Sequence, residues 1–178
     1  MPLGNLTSQF FANIYLNELD KFVKHNLKAK YYIRYVDDFV ILNSSKEHLT
    51  EWKLEINEFL QENLKIELHK DKTKIINLGK GIPFLGFRVF YNYKLLKKFN
   101  RKNVQRKLNE FHYLFLEDNL DYDKIYESLQ GSFAYMQNAD TCKFRKYLAK
   151  QIEEKFPNQI SYIEVNRLLK NTQIKKIK

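Results

Sequence analysis

The 178 residues suffice for one good-sized domain or two small ones, and a hydrophobic content of 44%, with 14 Phe and 12 Tyr against 5 Gly and 3 Pro, excludes disorder throughout and collagen-like or low-complexity chains. A lone Cys142 excludes a disulfide framework and points to a reducing, cytoplasmic setting; no apolar run approaches a membrane span or forms a secretory signal. Lys and Arg number 31 against 21 acids, a net charge of +10 that favours a polyanionic partner, and residues 65–100 alone hold 9 basic and 2 acidic residues.

In residues 5–25, Phe10, Ile14, Leu19 and Phe22 recur at helical spacing and predict an amphipathic helix. Residues 31–42 are aromatic and β-branched, broken only by Asp37-Asp38, and read as two short strands with the acids at a tight turn. Tyr32, Ile33, Tyr35, Phe39 and Ile41 are expected to bury its flanks. Ser44 with Glu47 three residues on reads as a capping box, opening a second helix whose apolar face runs through Leu49, Trp52, Ile56, Phe59 and Leu60. Leu64, Ile66 and Leu68 alternate with Lys65 and Glu67, and Ile75-Ile76 and residues 82–90 add strand-like runs separated by Gly79 and Gly81.

Beyond Tyr93 the texture becomes helical. Three stripes are predicted, through Val104, Leu108, Phe111 and Phe115, then Ile125, Leu129, Phe133 and Met136, then Phe144, Leu148 and Ile152. Asn100, Asp121 and Asp140 are the expected N-caps, Pro157 lies past the third helix, and residues 163–169 add a short one before a frayed basic tail at Lys175, Lys176 and Lys178. The fold class is therefore α+β, with residues 1–93 mixed and residues 94–178 helical.

Adjacent carboxylates on a hairpin turn repel one another and lose hydration, so Tyr35-Val36-Asp37-Asp38 makes physical sense beside a cation. Magnesium takes carboxylate oxygens together with phosphates and waters, which makes nucleotidyl transfer a concrete option. The plain alternative is a solvated turn pair. His25, His48, His69 and His112 lack metal-ligand spacing, so zinc is not supported.

Pro2-Leu3-Gly4-Asn5-Leu6-Thr7-Ser8-Gln9 leading into Ala12-Asn13, then Arg34-Tyr35-Val36-Asp37-Asp38, then Lys72-Thr73 and Phe84-Leu85-Gly86-Phe87, resembles the ordered motif series of bacterial reverse transcriptases. The wording is most similar to the diversity-generating retroelement type and next to the group II intron type. The resemblance covers residues 1 to about 90, and the helical remainder is similar to the family's thumb in character and position. It implies a partial palm, an antiparallel sheet with packed helices, followed by an α-helical thumb bundle. Asp37 and Asp38 would be the metal pair, for Mg2+ or Mn2+, with Tyr35 and Val36 beside the primer end. Gly4, Ser8 and Gln9 would pack against the template base and incoming nucleotide, and Phe84, Leu85, Gly86 and Phe87 would grip the primer, Gly86 leaving room for a strand backbone. Lys72 would help protonate the leaving pyrophosphate, although Lys70 and Lys74 beside it suit a solvated loop equally well. The lesser alternative is that Ser8 and Gln9 merely begin the first helix, with Ser8 as its cap, and the downstream motifs weigh against it.

The implied partners are an RNA template and DNA primer, hence an RNA/DNA hybrid, and deoxynucleotides. The family also has an upstream motif with another metal-binding aspartate, which this sequence lacks. The chain is therefore expected to be a C-terminal piece, inactive alone, that self-associates through uncovered apolar faces. The competing readings are a non-catalytic nucleic-acid-binding module, using the basic stretch with Phe84, Phe87, Phe90 and Tyr91, and a protein-interaction fragment.

Overall fold

The computed structural model describes residues 6–170, without the side chain of Leu6. The chain divides into two units, Met1–Ile76 and Asn77–Lys178. The basic tail and Gly4 lie outside the described residues. Among those described, no helix is long and apolar enough to cross a membrane.

In the first unit the expected helix forms as α1 (Leu6–Lys21) and passes into one π-helical turn, Phe22–Asn26, where the Leu27 N–H reaches back to the Phe22 carbonyl at 3.1 Å. Val23 and Leu27 are both buried around this widened turn, and Phe22 stacks on Phe59 at 4.2 Å. The hairpin follows as β1 (Tyr31–Tyr35) and β2 (Asp38–Leu42), antiparallel, with Tyr32 opposite Ile41 and Arg34 opposite Phe39. Strand alternation sends Tyr32, Phe39 and Ile41 onto the core of Leu19, Val23, Ile56 and Leu60. The same alternation corrects one expectation. Ile33 and Tyr35 do not bury the hairpin's flanks; with Tyr31 they form the other face, 57–60% exposed.

Helix α2 (Lys46–Leu64) starts one residue later than expected: Asn43 Oδ1 accepts the Ser45 N–H at 2.9 Å, making Ser45 rather than Ser44 the cap. Its hydroxyl accepts from the His48 N–H at 3.1 Å and donates to Glu47 at 2.9 Å. The strand expected from Leu64 onward is absent, because Leu64 is spent in the last buried turn of α2 and Lys65 caps it at φ +52°. Residues 65–77 carry no strand, and the Leu68 N–H is taken by the Asn57 side chain at 3.1 Å.

One polar cluster ties α1 to the hairpin. Arg34 lies on the inward face of β1, where an unpaired cation would be costly. Its Nε and Nη2 donate to the two oxygens of Asp20 at 2.8 and 2.5 Å, and the Tyr32 hydroxyl donates to Asp20 Oδ1 at 2.6 Å. The fork meets the carboxylate with both oxygens engaged. These bonds from Arg34 hold the Asp20 carboxyl below the usual aspartate range, while burial and Asp20 push the Tyr32 phenol up.

In the second unit, β3 (Ile82–Phe84), β4 (Phe87–Val89) and β5 (Lys94–Leu96) form an antiparallel meander with β4 central. Helices α3 (Lys98–Leu116), α4 (Tyr122–Met136), α5 (Cys142–Lys155) and α6 (Tyr162–Leu169) follow. The three expected stripes meet in one core of Leu108, Ile125, Leu129, Phe133, Leu148 and Ile152, closed by the fully buried Phe156. Asp121 stands at the N-terminus of α4, but α5 opens at Thr141 rather than Asp140, whose N–H instead bonds the Lys94 carbonyl at 2.8 Å. Asn100 is no cap either: it lies inside α3 and its amide serves the β3–β4 turn.

Within the second unit, the turn between β3 and β4 is where strands and helices meet. Leu85 (φ +46°) and Gly86 (φ +81°) form its two-residue loop, with Phe84 opposite Phe87. The Tyr135 hydroxyl of α4 donates to the Leu85 carbonyl at 3.0 Å, while Asn100 Nδ2 and the Lys97 N–H reach the Gly86 carbonyl, each at 3.1 Å. Phe87 packs on the Tyr135 ring at 4.8 Å. The strands are thus held by the helices that follow them.

Two outcomes follow for urea unfolding. A Cβ on Gly86 would lie 1.9 Å from the Tyr135 oxygen, so Gly86→Ala should cost roughly 2–4 kcal/mol, adding left-handed strain to overpacking, and combining it with Tyr135→Phe should cost less than the sum of the two. For Asp20, a folded-state pKa below the unfolded one means its contribution is complete above about pH 4 and is lost as the pH falls further. Asp20→Asn should therefore lose about 1–3 kcal/mol at pH 7, and its gap from the parent should close only below about pH 4.

Candidate functional site

The turn between β1 and β2 is the chemically distinctive part of the first unit. Tyr35 pairs with Asp38, leaving Val36 and Asp37 as the loop, and Asp37 and Asp38 are both exposed. Val36 sits at φ +55°, a region that β-branched residues rarely occupy. The turn is held from inside: Arg34 Nη1 donates to the Val36 carbonyl at 2.7 Å and to Asn13 Oδ1 at 3.1 Å. Tyr35 is 60% exposed beside the two carboxylates.

Two exposed carboxylates on one turn offer hard oxygen donors, which suit magnesium or manganese when phosphate oxygens and water complete the set. Among the described residues no three His, Cys, Asp or Glu side chains gather as a metal site. Asp20 is occupied by Arg34 and Tyr32, and Glu18 pairs with Lys21 at 2.8 Å. The residues present therefore fit part of a metal site, with the remaining oxygens to come from elsewhere.

The other expected site residues fall in three places. Ser8 and Gln9 lie in the first turn of α1, Ser8 half-buried and Gln9 exposed, while Gly4 lies outside the described residues. Lys72 is exposed on a turn where its N–H and that of Thr73 share the His69 carbonyl at 3.2 and 3.0 Å. Phe84, Leu85, Gly86 and Phe87 form the β3–β4 turn of the second unit. On the side where a Cβ would project from Gly86 lies the protein's own Tyr135 hydroxyl.

Sequence reasoning missed the residues that hold these two turns. Asp20, Tyr32 and Arg34 had a readable signal, since Tyr32 and Arg34 share the strand face of Phe39 and Ile41 and an inward cation requires an acid. Tyr135 and Asn100 had none, because they reach the turn across 50 and 14 residues.

Protein YkfC of Escherichia coli K12 is 30% identical over 121 residues, covering 50% of this chain and 32% of that protein. The group II intron-encoded protein LtrA of Lactococcus lactis subsp. cremoris is 26% identical over an alignment of 217 positions, covering 85% of this chain and 36% of its own length. The chain thus spans about a third of the length of these curated relatives. The family model described as reverse transcriptase (RNA-dependent DNA polymerase) matches residues 1–89, the half that holds both turns, and the chain belongs to that family.

Proposed function

We propose that this chain is the portion of an RNA-directed DNA polymerase that presents the metal-binding turn and the primer grip, residues 1–93 serving as palm and residues 94–178 as thumb. The observation that carries the reading is the tight Tyr35–Asp38 turn, which places two exposed carboxylates at the tip of a core-anchored hairpin. In this reaction a primer 3′-hydroxyl attacks the α-phosphorus of a deoxynucleotide and pyrophosphate leaves. A magnesium or manganese ion held by Asp37 and Asp38 would stabilise charge on the phosphate oxygens. Tyr35 and Val36 line the primer end, Ser8 and Gln9 with Gly4 support the template base and nucleotide, and Lys72 gives the pyrophosphate its proton. Leu85 and Gly86 hold the primer strand with Phe84 and Phe87.

Full activity on this reading needs a further carboxylate from another polypeptide segment, since two carboxylates give few oxygens to bridge a pair of ions. With primed RNA template, magnesium and deoxynucleotides, the chain should extend the primer only when a segment carrying the family's upstream aspartate motif is added. Asp37→Asn should abolish that extension; no extension in the reconstituted mixture would overturn the reading. Within bacterial reverse transcriptases the LtrA relative favours a group II intron setting, while the diversity-generating resemblance rests on motif wording.

A second reading, binding without catalysis, is favoured by the basic residues 65–100 and by Tyr91, which is 86% exposed. Affinity for an RNA/DNA hybrid should fall by orders of magnitude between 50 and 200 mM salt if about 6–10 phosphates are contacted. Affinity that ignores salt would exclude phosphate contact. The exposed Tyr31, Ile33 and Tyr35 face, with Phe10, Phe11 and Ile14 each over half exposed on α1, supports self-association. Light scattering should find species above the monomer at micromolar concentration.

A further inference from the structure

We infer that Arg34, anchored by Asp20, is a positioning residue that sets the direction in which Asp37 and Asp38 leave the hairpin. The inference rests on the reading of that turn as the metal-presenting element. The peptide bond joining Val36 to Asp37 is planar, so fixing the oxygen of that unit fixes ψ of Val36 and φ of Asp37 together. Strand pairing already holds Tyr35 and Asp38, so this peptide is the loop's remaining freedom. Arg34 Nη1 grips its oxygen at 2.7 Å.

The grip is rigid because the guanidinium itself cannot turn. Nε and Nη2 lie on the two Asp20 oxygens at 2.8 and 2.5 Å, and Tyr32 holds Asp20 Oδ1 at 2.6 Å. With both donors of that edge fixed on one carboxylate, the plane of the guanidinium is set and Nη1 is directed toward Val36 and Asn13. The Arg34 side chain is only 10% exposed, so water competes poorly for these bonds. The left-handed Val36, at φ +55°, is a conformation that needs outside support, and this bond supplies it. A lysine would keep the charge but could not reproduce the fork on Asp20 and the bond to Val36 together.

A residue that merely joins α1 to β1 would weaken the whole first unit alike; a positioning residue displaces the turn within a folded unit. The test is nuclear magnetic resonance on the full chain, comparing wild type with Arg34→Lys and Asp20→Asn, using millimolar Mn2+ as the probe. In the variants, core methyl signals of Leu19, Ile56 and Leu60 should stay in place while the Val36 carbonyl and the Asp37 and Asp38 amides shift. The Mn2+ affinity read from broadening at those amides should fall about tenfold, the scale on which groups behind metal ligands act. Turn signals of the folded variants that superpose on wild type overturn the inference. Should both variants unfold, wild type alone decides: a scalar coupling across the Arg34 Nη1 to Val36 carbonyl bond supports it, and its absence overturns it. Turn signals that move in the variants while wild type gives no Mn2+ broadening at Asp37 and Asp38 support the positioning role and reject the metal reading. Equal broadening with unmoved turn signals does the reverse.

Discussion

Much of the first unit depends on a cation that points the wrong way for an ordinary strand. Arg34 is carried by alternation to the inward face of β1, beside Tyr32 and opposite Phe39. Burying a guanidinium without an acid costs several kcal/mol, so α1 must deliver Asp20 to that spot and in the right orientation. Apolar packing of Leu19, Val23 and Ile56 sets how helix and hairpin meet, and within that frame the two-bond fork fixes where the guanidinium points. The π turn at residues 22–26 belongs to the same helix, just past Asp20, and leads the chain back toward β1.

The same pattern recurs in the second unit with neutral groups. There a strained loop, Leu85-Gly86, has its two carbonyls claimed by side chains from helices later in the sequence. In each unit, then, a two-residue turn in an uncommon backbone conformation is held through at least one carbonyl oxygen by a side chain that is itself held. A turn secured through its backbone keeps its outward side chains free for other partners, which is what a turn presenting Asp37 and Asp38 requires.

What the sequence made legible followed from how local each signal is. Helical stripes such as Ile125, Leu129, Phe133 and Met136 could be read directly because spacing alone fixes the buried face. The Tyr35–Asp38 turn stood out because acids interrupt an apolar run. The errors came where two local patterns overlapped or where a contact spans many residues. Leu64 suited either the end of a helix or the start of a strand, and the core of α2 claimed it. The capping-box spacing from Ser44 to Glu47 points to Ser44, but Asn43 takes the Ser45 N–H and Ser45 caps α2. Ile33 and Tyr35 look like core by composition and are turned outward by a parity that the inward Tyr32 and Arg34 determine. β5, three residues long, is too short for alternation to register.

The interlock between Gly86 and Tyr135 also has a bearing on how this polypeptide can be rearranged. A chimera joined near Lys94 would pair one protein's Leu85-Gly86 turn with another's α3 and α4, where the tyrosine and asparagine that hold its carbonyls need not recur. Joined at Ile76 and Asn77, hairpin and helices would travel as one cassette with their contacts intact. The seam suited to shuffling this domain, by evolution or by an engineer, therefore lies ahead of β3 and β4, in the strandless residues 65–77.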